Sequence, residues 1–257
     1  MRIYTFLILV CVAVVAGCET SPTGRQQLLL IPDAQLQQMG TTAFLEMKQQ
    51  VPVNKDKKVD AYVGCVTDNL IKYLLPSARG IKWELAIFKD DSANAFALPG
   101  GKIGVHTGLL DVAKNQDQLA AVIAHEIAHV LAQHHSERVS QQFVTQTGMD
   151  LVGAMSGPQS ATKQQLMGLL GVGAQLGILL PYSRAQESEA DVYGLDLMAR
   201  AGFDPRQSVN LWRNMSSAGG ARPPEFLASH PAPENRIPQN MPVYERAMKE
   251  GRRVNCG

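Results

Sequence analysis

The chain has 257 residues, with 24 Lys plus Arg against 23 Asp plus Glu, and is 45% hydrophobic and 18% charged. That composition excludes a disordered or collagen-like chain, and a formal charge of +1 without a basic run argues against a nucleic-acid-binding surface. Four Cys with no C-x-x-C pair exclude a disulfide scaffold and a zinc ribbon.

Residues 1–17 read as a targeting segment. Ile3 to Val15 is almost unbroken apolar sequence, short of the ~20 residues a membrane helix needs and suited to the hydrophobic region of a secretory signal. Val15-Ala16-Gly17-Cys18 resembles a bacterial lipobox, which predicts cleavage before Cys18 and lipidation of that residue. A simple secretory signal or an uncleaved anchor are the alternatives. More than one acyl chain on Cys18 gives stable anchoring, and Glu19, in place of Asp, favours the periplasmic face of the outer membrane by resemblance to bacterial lipoproteins. In an oxidising periplasm Cys65 and Cys256 are free to pair, clipping the C-terminal tail to an N-terminal helix; two unpaired thiols are the alternative.

Residues 18–30 are expected to be a polar, lipidated tether, and 31–257 one domain. Asp33 caps a helix to about Gln50, and Lys55 to Leu75 has helical spacing that ends before Pro76. Trp83–Phe88 and Ala93–Leu98 read as strands, Pro99-Gly100-Gly101 as a turn, and Lys102–His106 as a further strand. A helix is predicted from about Gln116 to Gln142. Residues 144–181 hold seven Gly and only Asp150 and Lys163 as charges. Their apolar part, 166–180, suits a packed hairpin or a lid over the site. Helix is predicted again over Ser183–Arg200, after Asp204-Pro205 and after Pro231. The fold class is α+β, mainly helical, with a small sheet beside the helix of residues 116–142.

That helix carries His125-Glu126-Ile127-Ala128-His129. Residues at i and i+4 share a helix face, so both imidazoles reach one metal. Glu126 lies about 100° round the helix, placed to take a proton from metal-activated water. A catalytic zinc takes a third protein ligand and keeps one position open. His106, His134, His135, His230 and the downstream acids are candidates, and Glu187 in Ser183-Arg184-Ala185-Gln186-Glu187-Ser188-Glu189-Ala190-Asp191 suits best. Glu187 and Asp191 share a face, whereas Glu189 lies about 200° from Glu187, so the two Glu cannot both point at one ion. With Glu187 as ligand, Asp191 is placed to hold a His ring N–H, and small Ala190 and Gly194 let the two helices approach closely. His134 and His135 are read as structural. The Asn94–Leu98 stretch (Asn94, Ala95, Phe96 foremost) is an edge strand for a peptide substrate or a core strand.

HEIAH, the strand Asn94 to Gly101, SRAQESEAD, and Ser229-His230-Pro231 with Arg236 occur in this order. The sequence thereby resembles the gluzincin metallopeptidases related to the CAAX prenyl protease and HtpX, in their bacterial periplasmic lipoprotein branch similar to BepA and LoiP. The resemblance implies one zinc ion per chain on His125, His129 and Glu187, with Glu126 as general base. It gives His230 an oxyanion or reversible fourth-ligand role and places Arg236 at the substrate end of the site. The expected activity is endopeptidase cleavage of unfolded or misassembled envelope proteins, with an envelope protein partner. An assembly or chaperone-like factor with an autoinhibited zinc site, or a zinc hydrolase of non-peptide amides, are the alternatives. The multiple membrane spans of the prenyl proteases and HtpX are missing here, as is an obvious repeat domain after the catalytic part.

Overall fold

A computed structural model describes residues 18–78, 80–156, 182–218, 225–230 and 253–257. In chain order these form β1 (Cys18–Thr20), β2 (Gln26–Leu28), α1 (Asp33–Gln50), α2 (Lys57–Lys72), β3 (Glu84–Phe88), β4 (Ala95–Leu98) and β5 (Lys102–His106). There follow α3 (Leu109–Val112), α4 (Gln116–Leu131), α5 (His134–Ser156), α6 (Arg184–Ala201), α7 (Gln207–Ala218) and α8 (Glu225–Ser229). The fold is α+β. Among the described residues no helix is long and apolar enough to cross a membrane.

The main sheet has the order β3-β5-β4, with β3 parallel and β4 antiparallel to β5. The β4–β5 connection needs left-handed backbone, and Gly100 and Gly101 supply it with φ of 82° and 76°. Gly104 on β5 lies under the Phe96 ring, where an added Cβ would sit 2.1 Å from a ring carbon. β4 is therefore pressed flat on its neighbour, and its other edge is left without a partner strand among the described residues.

Helix α4 is the axis of the core. Asn115 caps it by accepting from Gln118 N at 2.9 Å, and every residue from Gln118 to His129 is buried. A helix apolar on all sides must be surrounded, and α4 packs on α2, α6, α7 and β4. Burying Leu119, Val122, Ile123 and Ile127 completely contributes roughly 1.5–3 kcal/mol each. α6 begins with a capping box between Ser183 and Gln186 and ends at Gly202, whose φ is 90°. Gly194 brings α6 against the α4 backbone, as the small residues there predict.

Two expectations change, and the pairing of Cys65 with Cys256 is met. The helix expected over 116–142 is two helices, broken at Gln133, which takes a left-handed φ of 53°. Residues 18–30 are no loose tether: β1 and β2 pair as an antiparallel hairpin, with Cys18 opposite Leu28. This hairpin docks on α5 and α6 through Arg25, which pairs with Glu137 at 2.6 Å and Glu189 at 2.8 Å. The free-thiol alternative also falls, because Cys65 on α2 is bonded to Cys256, closing a separation of 191 residues. Gln116 holds the same tail, donating to Val254 O at 2.6 Å and accepting from Cys256 N at 2.7 Å. The signal segment 1–17, the apolar stretch 166–180, the helix expected after Pro231 and Arg236 lie outside the described residues.

Candidate metal centre and active site

Four buried side chains from three helical segments converge: His125 and His129 from α4, Glu187 from α6, and His230 after α8. One donor atom from each lies within 4.8 Å of the others. The two Nε2 atoms of His125 and His129 are 3.0 Å apart, and His125 Nε2 is 3.3 Å from His230 Nδ1. Glu187 Oε2 lies 3.5 Å from His125 Nε2, while Oε1 lies 3.3 Å from His129 Nε2 and 2.9 Å from His230 Nδ1. A tetrahedron with zinc bonds of about 2.05 Å has edges of about 3.3 Å. The contacts of 2.9–3.5 Å match that edge, through one or the other Glu187 oxygen, while the widest spacing in the cluster, up to 4.8 Å, exceeds it.

The protonation states suit the same assignment. Burial opposes ionisation of Glu187, yet the His125, His129 and His230 rings around it hold its carboxyl far below the usual range. Burial pushes His129 well below its ordinary value against the pull of Glu187, so this ring is neutral. Burial also opposes charge on His125, but Glu187 and Asp191 outweigh it and push the ring up to about 9. Its Nδ1 lies 3.0 Å from Asp191 Oδ1, where the ring proton belongs. Without a cation the His125 ring therefore keeps a second proton on Nε2, facing Glu187 and the His129 Nε2 lone pair 3.0 Å away; a bound metal would displace that proton and take both Nε2 atoms.

Glu126 sits beside the cluster. Its Oε2 accepts from Ala97 N at 3.2 Å, its Oε1 is 3.3 Å from His230 Nε2, and that buried Oε1 has no hydrogen-bond partner. Burial raises the Glu126 pKa, against the pull of His230 and His125, which moves a carboxylate toward values useful in proton transfer. The bond from Ala97 also shows which edge of β4 faces the site. Asn94 O and Leu98 O turn toward β5 and its turn, accepting from His106 N and Gly101 N. The strand's alternation therefore leaves Ala95 and Ala97 with backbone groups on the free edge. Of the residues expected to bind substrate, Ala95 keeps that placement. Asn94 and Phe96 turn their backbone groups to β5, and the Phe96 ring packs on Phe88 and Gly104, yet both line the small cavity beside Glu126 and His230.

His106 is no part of the cluster: its Nδ1 lies 2.7 Å from Ser92 Oγ. His134 and His135 are buried and structural. His134 bridges His129 and Glu189, and His135 Nε2 lies 2.8 Å from the Tyr182 hydroxyl. Tyr182 was not anticipated from sequence. Its ring lies 3.8 Å from that of His129, the Arg138 guanidinium lies 3.9 Å from its centroid on another side, and its N–H donates to Ser229 O at 3.1 Å. That last bond ties the start of α6 to the end of α8 and so brings His230 to Glu187. Phe226 completes the placement by stacking on the His230 ring at 4.3 Å. The one sequence cue to Tyr182 is its place directly before the capping Ser183.

The model of peptidase family M48 matches residues 58–239, which include Glu126 and all four donors. Over 166 residues the chain is 39% identical to the mitochondrial metalloendopeptidase OMA1 of Schizosaccharomyces pombe, covering 61% of this chain and 45% of that protein. It is 32% identical over 256 residues to the metalloendopeptidase OMA1 of Bos taurus, covering 93% and 48%. It is 31% identical over 211 residues to the beta-barrel assembly-enhancing protease of Escherichia coli K12, covering 78% and 42%. The chain thus spans about half the length of these relatives. With its donor cluster and buried carboxylate inside the matched segment, the chain belongs to peptidase family M48.

Proposed function

We propose that the chain is a zinc-dependent endopeptidase of the bacterial cell envelope, anchored through acylated Cys18, that cleaves unfolded or misassembled proteins. The observation that carries the activity is the cluster of three imidazoles and Glu187 beside the unpartnered Glu126 Oε1, at the open edge of a strand. Zinc, when bound, supplies a Lewis acid that polarises the scissile carbonyl and acidifies water. Glu126 removes the proton from the attacking water and later delivers it to the departing amine nitrogen. Ala95 and Ala97 pair with the peptide backbone by adding it to the sheet. Beyond them, a cavity of about 310 Å³ opens at Pro99 and Gly100, with Leu36, Ile81, Val130 and Leu131 in its walls. An extended peptide with apolar side chains suits that path, and unfolded proteins present both. His230 Nδ1 stands in the fourth donor place and must withdraw before water or substrate takes it; its Nε2, or Arg236, then serves the oxyanion.

The envelope location is supported by the lipobox, by a disulfide that belongs to oxidising compartments, and by likeness to a beta-barrel assembly-enhancing protease. Exchange of Glu126 for Gln is expected to keep the metal, read by elemental analysis, and to lower casein cleavage by about 10²–10⁴-fold. Exchange of His125 for Ala loses both. Wild-type cleavage by Glu126→Gln refutes the role of Glu126. Closure by His230 favours a second reading, an assembly factor with an inhibited site, which complementation of an envelope-defect strain by Glu126→Gln would support.

A further inference from the structure

On the side of His129 away from the donor cluster, a line of buried polar groups runs to the N-terminal hairpin. His129 Nδ1 lies 2.9 Å from His134 Nδ1, and His134 Nε2 lies 3.1 Å from Glu189 Oε2. Arg25 Nε donates to that same oxygen at 2.8 Å, and Thr23 Oγ1 donates to Glu189 Oε1 at 2.5 Å. The other face of the guanidinium donates through both Nη atoms to Glu137 at 2.6 Å, and Glu137 also accepts from Gln186 Nε2 at 2.7 Å. Arg25 is thereby gripped from two sides, and its position fixes where the Glu189 oxygens sit.

The donors and acceptors along this line leave one arrangement. An ionised carboxylate only accepts, so His134 Nε2 carries a proton. The contact between two Nδ1 atoms needs one donor. His129 presents Nε2 to the cluster as a lone pair, so its single proton sits on Nδ1 and His134 Nδ1 accepts. We propose that Arg25 and the Cys18–Leu28 hairpin are a working part of the metal centre: acting through Glu189 and His134, they hold the His129 ring and tautomer that offer Nε2 to the ion. The inference rests on the metal reading above. It adds a segment that precedes the family match, which starts at residue 58. Arg25 is a positioning residue, three side chains removed from the ion.

The test is zinc affinity of the purified full-length protein, by competition with a chromogenic chelator, together with the visible spectrum of the cobalt-loaded form. Arg25→Gln and Glu189→Gln are each expected to weaken zinc binding about 10–100-fold and to shift the cobalt bands. Thr23→Val, a milder change for the case that Arg25→Gln misfolds, gives a smaller loss in the same direction. Ser140→Ala removes a separate attachment just after the hairpin, where Ser140 Oγ accepts from Leu30 N at 2.8 Å, and is expected to leave zinc affinity and cobalt spectrum unchanged. Wild-type affinity in Arg25→Gln and Glu189→Gln overturns the inference. So does an equal loss in Ser140→Ala, which would make the hairpin a merely structural support. A wild-type protein that binds no zinc overturns the metal reading itself, and this inference with it.

Discussion

Helix α6 touches α4 at Gly194, and replacing that glycine with alanine tests whether their close approach sets the metal geometry. A Cβ at residue 194 would stand 3.0 Å from His125 N and 3.1 Å from the carbonyl carbon and oxygen of Ala124. These are helix backbone atoms, which cannot rotate aside. Restoring an ordinary contact distance moves α6 away by about 0.4 Å. Glu187 rides on the same helix about two turns earlier, and metal–ligand distances tolerate only about ±0.2 Å. Gly194→Ala is therefore expected to weaken zinc binding by about tenfold or more. Two opposing effects act on the metal-free protein. Alanine gains about 0.8–1.0 kcal/mol of helix propensity over glycine, while overpacking costs about 1–3 kcal/mol. The net change is a loss of about 0–2 kcal/mol, read by urea unfolding of chelator-stripped protein and compared with zinc titration of the same samples. A metal-free variant more stable by the full propensity gain, with wild-type zinc affinity, refutes the argument that this contact sets the spacing.

Two further measurements probe the frame around the site. Cys65→Ser with Cys256→Ser opens a link across 191 residues, and the chain-entropy account predicts a loss of about 5 kcal/mol by chemical unfolding, matched by reduction of the wild type. A loss below about 1 kcal/mol would show that the Gln116 and Gly202 hydrogen bonds and the packing of Val254 hold the tail without the link. His135 is buried, and burial, reinforced by the Arg138 charge, holds its pKa well below 6.5, while the unfolded chain takes up that proton near pH 6.5. The folded state refuses a proton that the unfolded state binds, so stability falls as pH falls. A ring that stays neutral in the folded state between pH 7.5 and pH 5 contributes at most about 2 kcal/mol over that range, and His135→Asn is expected to flatten the profile of the metal-free protein.

Much of the scaffold was legible because its signals are local. The helix beginning at Asp33 (although Pro32, not Asp33, stands in the capping place), the end of the second helix before Pro76, the strand ending at Leu98 and the glycine turn after it all depend on neighbours in sequence. The His125–His129 face and the divergence of Glu187 from Glu189 follow from helix geometry, and the structure brings Glu187, but not Glu189, to the donor cluster. The break at Gln133 left no such trace. Left-handed backbone usually selects Gly or Asn, whereas Val130 to Arg138 reads as unbroken helix, and only tertiary packing of His134 and His135 explains the turn. The hairpin was hidden for a related reason: Arg25 meets its partner Glu189 across 164 positions, and three-residue strands carry too little pattern to show pairing. Alternation gives two sets of residues on the Asn94–Leu98 strand without saying whose backbone faces outward, so the free-edge placement of Ala95 and Ala97 was not legible.

The spacing of the first three acids on α6 explains why Glu187 and Glu189 are buried in a segment so rich in charge. Successive residues turn by about 100°, so Glu187 and Asp191 point one way and Glu189 nearly the opposite way. Glu187 reaches the donor cluster directly. Asp191 reaches His125 Nδ1 at 3.0 Å, and Glu189 reaches His129 through His134. Each α4 imidazole thus has one nitrogen turned to the cluster and the other answered by an α6 carboxylate, directly or through one ring. A solvated acidic face would need none of this, since water satisfies isolated carboxylates at no packing cost. Glu187 and Glu189 are buried, and nearby rings or Arg25 hold both carboxyls well below their ordinary pKa despite burial. Such buried charge persists only where partners answer it. The direction of each acid, more than the number of acids, therefore marks this helix as the second wall of a metal site.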